Sequence, residues 1–438
     1  MTEGKAPGDC LVVVGGGQAA AQLVEVARQN GFAGQITLVS DEEFLPYQRP
    51  PLSKQYLNGV HDTDWLLYRP REFYSKFRVD ALLGRRVEEI DRENRRVKMN
   101  DGSILAYDKL ALTTGTRARM LEVPGRDLDR IYSIRTIADV ERLRPQLPSV
   151  KRAVIIGAGF IGLETGAVLT QMGIDVVLLG SSTRLLPRIV AGDMAEFLLD
   201  QHLKQGVEVV LNAQVIAIDQ QDDGQLTVHV AGGGSYAGDV VLVGIGAIAN
   251  VELAEACGLQ CDNGIVVDEF ATTSDPNIVA AGDCTNHPNP LVGRRIRLET
   301  VHNAVEQGRT AGATIAGVNL PYIQTPWVWS DQYKFRFQSA GIAEGFDTTV
   351  LRGTVGSGKF SVFYYVEGKL LAVSCINQPH IFAAVRRILN GQAELKPEEA
   401  ADPLFDLSRV QSKMNYLEFD IPWPTKEEKG RRLTWGHD

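Results

Sequence analysis

Two stretches constrain this chain more than any others: LVVVGGGQAAA at Leu11–Ala21 and VIIGAGFIGLE at Val154–Glu164. In each, an apolar run suited to a strand buried on both faces meets glycines, then small and apolar residues that open a helix. The spacing G-x-G-x-x-G/A is met by Gly15, Gly17 and Ala20, and again by Gly157, Gly159 and Gly162. The first glycine turns the backbone sharply. The second lets it approach phosphates, and the third position lets helix and strand pack closely. The amides at the helix start then face the anion. One such match could be a plain tight turn. Two in one chain predict two dinucleotide sites, and so two doubly wound α/β units.

The flanking sequence extends both units. After the first loop, a helix over Ala19–Asn30 ends at Gly31, and Gln35–Val39 reads as a strand followed by Ser40, Asp41 and Glu42. An acid at this strand end suits an adenosine ribose hydroxyl; the alternative is a loop carboxylate in water. LPYQRPPLSK, at 45–54, carries three prolines, which predict an extended segment kept out of a helix. Its Arg49 and Lys54 lie beside the expected pyrophosphate, or else are solvated cations. Further strands are expected over Leu82–Ile90, interrupted by Arg85 and Arg86, and over Asp108–Leu112, which ends in Thr113-Thr114-Gly115. Asp101-Gly102 marks a hairpin turn.

In the second unit, Gly173 ends the helix and Asp175–Leu179 is the next strand. Strand-like sequence runs over Leu211–Val230 and Asp239–Val243, closed by Gly244-Ile245-Gly246. A strand at Gly264–Asp268, the segment TTSDPNIVAAGD at 272–283 and a helix over Glu299–Ala316 then resume the first unit. The second unit is thus expected to be inserted in a discontinuous first domain. The boundaries read 1–117, 118–246 and 247–325. An α+β domain follows over 326–410, from the aromatic, β-rich 327–372 and a helix at His380–Leu389. A tail occupies 411–438, with Tyr416, Phe419 and Trp423 in it.

Composition narrows the class. The 438 residues suffice for two or three domains, and a net charge of -9 argues against nucleic-acid binding. No apolar run is long enough to span a bilayer, and no signal-peptide core precedes Leu11. The five cysteines are scattered and odd in number, as in a reducing cytoplasm. Cys257 and Cys261 lack a second pair, so no metal site is expected.

Taken in order, GxGxxG/A, PPLSK, TTG, GxGxxGxE, GIG, TSDPNIxAAGD and WxWSDQ resemble the FAD-dependent ferredoxin reductases. These serve Rieske oxygenases and bacterial haem-thiolate monooxygenases. The likeness runs from about Asp9 to Asp406. It implies a glutathione-reductase-like fold, non-covalent FAD, and NADH or NADPH as electron donor. It also implies an acidic [2Fe-2S] ferredoxin as a transient partner, in the cytoplasm, with the enzyme a monomer or homodimer.

The resemblance also implies roles for residues. Gly15, Gly17, Gln18, Ala19 and Ala20 would line the FAD pyrophosphate, and Ser40 and Asp41 the adenosine ribose. Arg49 and Lys54 are family cations near FAD, Lys54 reaching the flavin ring. Val87 would meet the adenine through its backbone, and Thr114, Gly115 and Arg135 add FAD contacts. Asp283 would bond the ribityl chain, Thr300 and Val301 face the flavin pyrimidine, and Trp329 flank the ring. On the nicotinamide side stand Gly157, Gly159, Phe160, Ile161, Gly162, Gly180, Ser181, Arg184 and Gly246. Glu164 lies near the nicotinamide and pairs with Lys54; these two are the candidate catalytic residues. Singly, Asp283 could cap a turn, Trp329 could be core, and Glu164 an exposed helical acid.

Disulfide reductases of this fold need a C-x-x-x-x-C pair over the flavin, and no cysteine lies between residues 41 and 60. Electrons must therefore leave to an external acceptor, singly if it is an iron–sulfur protein. Rubredoxin, a small-molecule acceptor, or a role as an NADH-binding flavoprotein like the apoptosis-inducing factors are the alternatives. Gly180 stands where NADH-preferring members carry an acid. Ser181, Ser182, Thr183 and Arg184 follow, which predicts that NADPH is accepted alongside NADH; Arg184 could instead stack on adenine. Gly180→Glu is expected to shift the preference towards NADH. Arg294, Arg295, Arg297, Arg336, Arg386 and Arg387 are a candidate basic patch for ferredoxin, or else structural cations.

Overall fold

The computed structural model describes residues 9–187 and 189–410. The first unit opens with β1 (Leu11–Val14), α1 (Gln18–Gln29), β2 (Ile36–Val39), β3 (Val79–Leu82) and β4 (Lys109–Leu112). The second holds β5 (Ile131–Tyr132), β6 (Arg152–Ile156), α2 (Phe160–Gln171), β7 (Asp175–Leu179), α3 (Gly192–Lys204), β8 (Glu208–Val210) and β9 (Val240–Val243). The chain returns with β10 (Ile278–Ala280) and α4 (Val301–Ile315). It then forms β11 (Trp327–Gln332), β12 (Phe335–Gly341), β13 (Thr348–Thr354), β14 (Lys359–Val366), β15 (Lys369–Ile376) and α5 (Pro379–Asn390).

The first sheet has the order β10-β4-β1-β2-β3, all parallel. Its edge strand comes from beyond the second unit, Val279 pairing with Ala111. The second sheet, β8-β7-β6-β9-β5, is also parallel. The apolar runs of β1, β2 and β9 are buried throughout, as strands covered on both faces require. The last sheet, β11-β12-β15-β14-β13, is antiparallel and packs against α5. The architecture is therefore two doubly wound α/β units with a C-terminal α+β unit.

Helix α4 lies backbone to backbone on α1. A Cβ on Gly308 would sit 2.6 Å from Ala19 O, and one on Gly312 2.4 Å from Leu23 O. Larger residues at either position would push the two helices apart and move the N-terminus of α4 away from the first glycine loop.

Several expectations are corrected. Leu82–Ile90 is two strands, because residues 83–86 form a turn with Gly84 at φ +66°. Val87–Asp91 then starts a separate antiparallel sheet. The proline segment is not wholly extended: Pro50–Ser53 is a 3₁₀ turn. Proline at the start of a helical turn lacks only an amide that had no partner there. Residues 211–230 split into Val215–Gln220 and Leu226–Val230, around a turn at Gly224 (φ +84°). The helices Ile137–Leu143 and α3 were not anticipated. The first is fixed by a capping box between Thr136 and Asp139; α3 buries Met194, Phe197, Leu198 and His202. Tyr416, Phe419 and Trp423 lie outside the described residues.

Candidate functional site

The two glycine loops, Ser40, Asp41, Thr114, Gly115, Gly180, Ser181, Gly246 and Asp283 follow the C-terminal ends of strands in the two parallel sheets, where doubly wound folds place ligands, whereas Arg49, Lys54, Val87, Arg135, Thr300, Val301 and Trp329 come from other segments. Gly15 has φ +110°, and a Cβ there would lie 2.3 Å from Thr113 O. Gly157 repeats this with φ +121° and 2.2 Å to Gly244 O. In both units the first glycine thus sits against the carbonyl that ends a neighbouring strand. Gly17 and Gly159 begin α1 and α2, and neither helix start has a side-chain cap. Their first amides are left for water or an anion. By contrast, α4 is capped: Asn303 N donates to Thr300 Oγ1 at 3.1 Å, just ahead of Val301. Gln18, Ala19 and Ala20 form the first turn of α1, and Phe160, Ile161 and Gly162 that of α2. Gly162 has no room for a side chain, a Cβ there falling 1.9 Å from Gly157 O.

Around the first sheet, Ser40 is buried at the end of β2, whereas Asp41 is exposed and 3.7 Å from Arg86. Val87 is buried at the start of its strand. Arg49 donates to Glu42 Oε1 at 2.6 Å, to Tyr47 Oη at 2.9 Å and to Arg135 O at 2.7 Å. Arg135 in turn donates to Asp283 Oδ2 at 3.1 Å and to Thr116 O at 3.0 Å. Burial raises the Asp283 carboxyl above the ordinary range, and the Arg135 guanidinium opposes that shift. Gly282 (φ +93°) holds the Asp283 loop against α1, a Cβ there falling 3.2 Å from that of Ala19. Thr114 Oγ1 donates to Asn250 O at 2.6 Å, and Gly115 follows at φ +61°.

Lys54 and Glu164 meet across the two units. Lys54 Nζ lies 2.6 Å from Glu164 Oε2, with side-chain exposures of 8% and 4%. A buried ion pair is costly unless its remaining valences are filled. Here Glu164 Oε2 also accepts from Ser53 Oγ at 2.6 Å, and Oε1 accepts from Ser330 Oγ at 2.7 Å. Lys54 Nζ donates in addition to Pro50 O at 3.3 Å. Trp329, beside Ser330 on β11, is 5.4 Å from the Trp327 ring.

Both sheets thus carry the cradle that the sequence pattern requires, with one buried pair joining them. The family model of pyridine nucleotide-disulphide oxidoreductases matches residues 9–308, and that of the reductase C-terminal domain matches 327–411. The chain belongs to the pyridine nucleotide-disulphide oxidoreductases. It is 41% identical to rhodocoxin reductase of Rhodococcus erythropolis, over 91% of this chain and 93% of that protein. The crystal structure of the ferredoxin reductase for the CYP199A2 system from Rhodopseudomonas palustris superposes with a TM-score of 0.89 at 37% identity, covering 91% and 98% of the two chains. The reductase in the covalent putidaredoxin reductase–putidaredoxin complex gives 0.88 at 36%, covering 92% and 98%. This oxidoreductase works with FAD and NAD(P)H.

One expectation about the reductase changes with its structure, and another gains detail. The six arginines are engaged locally, three of them with acids. Arg294 pairs with Glu344, Arg297 with Glu299 and Arg336 with Asp331. Arg295 donates to Val267 O and Asn286 O, Arg387 donates to Ser408 O, and Arg386 lies over the Trp327 and Phe382 rings. Gly180 is confined: a Cβ there would lie 2.9 Å from Ala158 Cβ and 3.1 Å from Leu211 Cδ2. Gly180→Glu is therefore a packing change as well as a charge change, and the adjacent, exposed Ser181 is the better probe. Arg184 Nη2 donates to Pro187 O at 2.9 Å, beyond Ser181 and Ser182. Gly246, at φ +108°, lies three residues past the end of β9.

Sequence reasoning missed the partners of the assigned residues: Glu42 and Tyr47 on Arg49, and Ser53 and Ser330 on Glu164. Both serines lie inside quoted motifs, PPLSK and WxWSDQ. A hydroxyl beside each assigned residue was the available signal.

Proposed function

We propose that this protein is an NAD(P)H-dependent ferredoxin reductase, passing electrons through FAD to a [2Fe-2S] ferredoxin that feeds an oxygenase. The observation that carries the reading is the buried Lys54–Glu164 pair joining the two dinucleotide units. The covalent partnership of a similar reductase with putidaredoxin supports the acceptor class. Bound FAD supplies the chemistry that takes hydride from NAD(P)H and releases electrons singly. Gly15–Ala20 would cradle its pyrophosphate, Asp41 the ribose, and the Arg135–Asp283 pair the ribityl chain. Gly157–Gly162 would hold the nicotinamide dinucleotide. Lys54 sets a positive charge where negative charge develops, and Glu164 fixes that lysine's direction. The reaction needs orientation and a fixed field rather than proton abstraction by a side chain.

We divide the chain at 117, 246, 325 and 410, the second segment being inserted in the first domain. No helix among the described residues is long and apolar enough to cross a membrane; we place the protein in the cytoplasm on its cysteine usage. Heat-released cofactor is expected to run as FAD on chromatography, and reduced protein to be reoxidised faster by ferredoxin than by quinones or rubredoxin. FMN in the supernatant, or preference for a quinone, would overturn the assignment.

Cofactor choice follows from the end of β7. The hydroxyls of Ser181 and Ser182 and the Arg184 guanidinium suit phosphate oxygens, and among residues 180–184 no carboxylate repels a 2′-phosphate. NADPH is expected to be accepted alongside NADH. Ser181→Glu should move the ratio of specificity constants towards NADH by about ten- to a hundredfold, from the roughly 1.5–3 kcal/mol of one charged hydrogen bond. Steady-state kinetics with both cofactors check this; an unchanged ratio would assign the choice elsewhere in the pocket.

A further inference from the structure

A buried chain of polar side chains leads away from the working pair and is not used by the reaction as described. Glu164 Oε1 accepts from Ser330 Oγ at 2.7 Å, and Ser330 Oγ accepts from Gln332 Nε2 at 3.1 Å. Gln332 Oε1 lies 3.0 Å from His202 Nε2, and His202 Nδ1 lies 3.0 Å from Tyr333 Oη. The links come from three places: Glu164 from α2, His202 from α3, and Ser330, Gln332 and Tyr333 from β11 and its turn. Ser330 and Gln332 are two apart on the strand and so share a face. Both Ser330 and His202 are fully buried, and Gln332 is 3% exposed.

The direction of every bond follows from chemistry. Gln332 spends Nε2–H on Ser330, so its Oε1 accepts from His202 Nε2–H. That fixes the imidazole tautomer and leaves Nδ1 to accept from the Tyr333 hydroxyl. Burial lowers the His202 pKa below its ordinary value, in keeping with a neutral ring. Each hydrogen from Tyr333 inwards therefore points towards Glu164. The chain does not conduct protons, because relay through the Gln332 amide would need its imidic acid form. It orients. Dipoles aligned head to tail polarise one another, and in a dry interior an unfilled link is costly. The outer anchor is itself held under tension. Tyr333 has φ +56°, in the two-residue turn between β11 and β12, where a bulky side chain is disfavoured. Its hydroxyl and its edge-on ring contact with His202, at 5.1 Å, hold it there.

We propose that His202 is a positioning residue for Glu164. Acting through Gln332 and Ser330, it keeps Oε1 occupied and so turns Oε2 towards Lys54. The proposal rests on the reading of Lys54–Glu164 as the working pair. Its consequence is that the C-terminal strand carrying Trp329 and the inserted unit carrying Glu164 are set by one network.

The test uses the FAD-loaded full chain. Melting temperatures of wild type, His202→Phe, Glu164→Gln and the double variant form a cycle. The two losses are expected to be non-additive, although the side chains do not touch. Flavin reduction at saturating NAD(P)H is expected to fall about tenfold in His202→Phe, as for a small misplacement of a working group. The nicotinamide dissociation constant should be unchanged. His202→Gln, which can donate and accept in the same places, should recover most of the rate. Additive melting losses together with wild-type reduction in His202→Phe would overturn the proposal. If Glu164→Gln reduces at the wild-type rate while the cycle stays non-additive, the working-pair reading fails and the network stands. Should His202→Phe fail to load FAD, Gln332→Met breaks the same chain one link nearer, with the same two outcomes.

Discussion

Lys54→Met is expected to slow reduction of bound FAD by NAD(P)H on the order of a hundredfold, with FAD still bound. The charge lost lies at the junction of the two dinucleotide units, whereas the glycine cradle at α1 is untouched. Methionine keeps most of the side chain's volume, so packing around Pro50 and Ser53 survives. Removing one member of a buried pair typically costs about 3–5 kcal/mol, because the other charge stays buried. Two serine hydroxyls still serve Glu164 here, so the stability loss is expected at the lower end of that range. Stopped-flow bleaching of the flavin measures the first effect, and thermal unfolding the second. Wild-type bleaching at every NAD(P)H concentration would remove Lys54 from the reaction.

Gly157→Val is expected to abolish NAD(P)H-dependent reduction while leaving a yellow protein that dithionite still reduces. A side chain at φ +121° strains the backbone by about 1–3 kcal/mol. Its Cβ would also lie 2.2 Å from Gly244 O, and that backbone carbonyl, one residue past β9, cannot swing aside as a flexible side chain would. The turn between β6 and α2 must open, carrying the α2 amides away from the phosphates. NAD(P)H affinity should fall on the order of a hundredfold or more. FAD content, read from absorbance after gel filtration, should hold, because its loop belongs to the other sheet. Loss of FAD together with NAD(P)H binding would mean that the two units do not fold independently of this turn.

The glycine loops were legible because their demands are local: a turn, an approach and a helix start fall within six residues. Lys54 and Glu164 could be paired from sequence only through resemblance, since 110 positions separate them and no spacing rule links them. Ser53 and Ser330 stayed hidden for the same reason, although each adjoins a residue that was singled out. His202 was less legible still. It sits on α3, which no glycine loop announces, and its partner lies 130 residues away. Where local rules failed, a neighbour had overruled them. At Gly180, Ala158 closes the space in which an acid would stand, whereas the break at Gly84 is a local signal inside the apparent strand. The arginines read as one patch from sequence because charge is visible there and partners are not. Glu344, Glu299 and Asp331 each hold one of them.

The two uncapped helix starts tie the life of this protein to its cofactor supply. A side-chain cap would satisfy the first amides of α1 and α2 at any ligand concentration; Gly17 and Gly159 provide none. By mass action, the folded state gains about 2.7 kcal/mol when a ligand stands at a hundred times its dissociation constant. Chains made faster than flavin is supplied would therefore enter the pool susceptible to proteolysis, and flavin limitation would lower the amount of reductase as well as its activity.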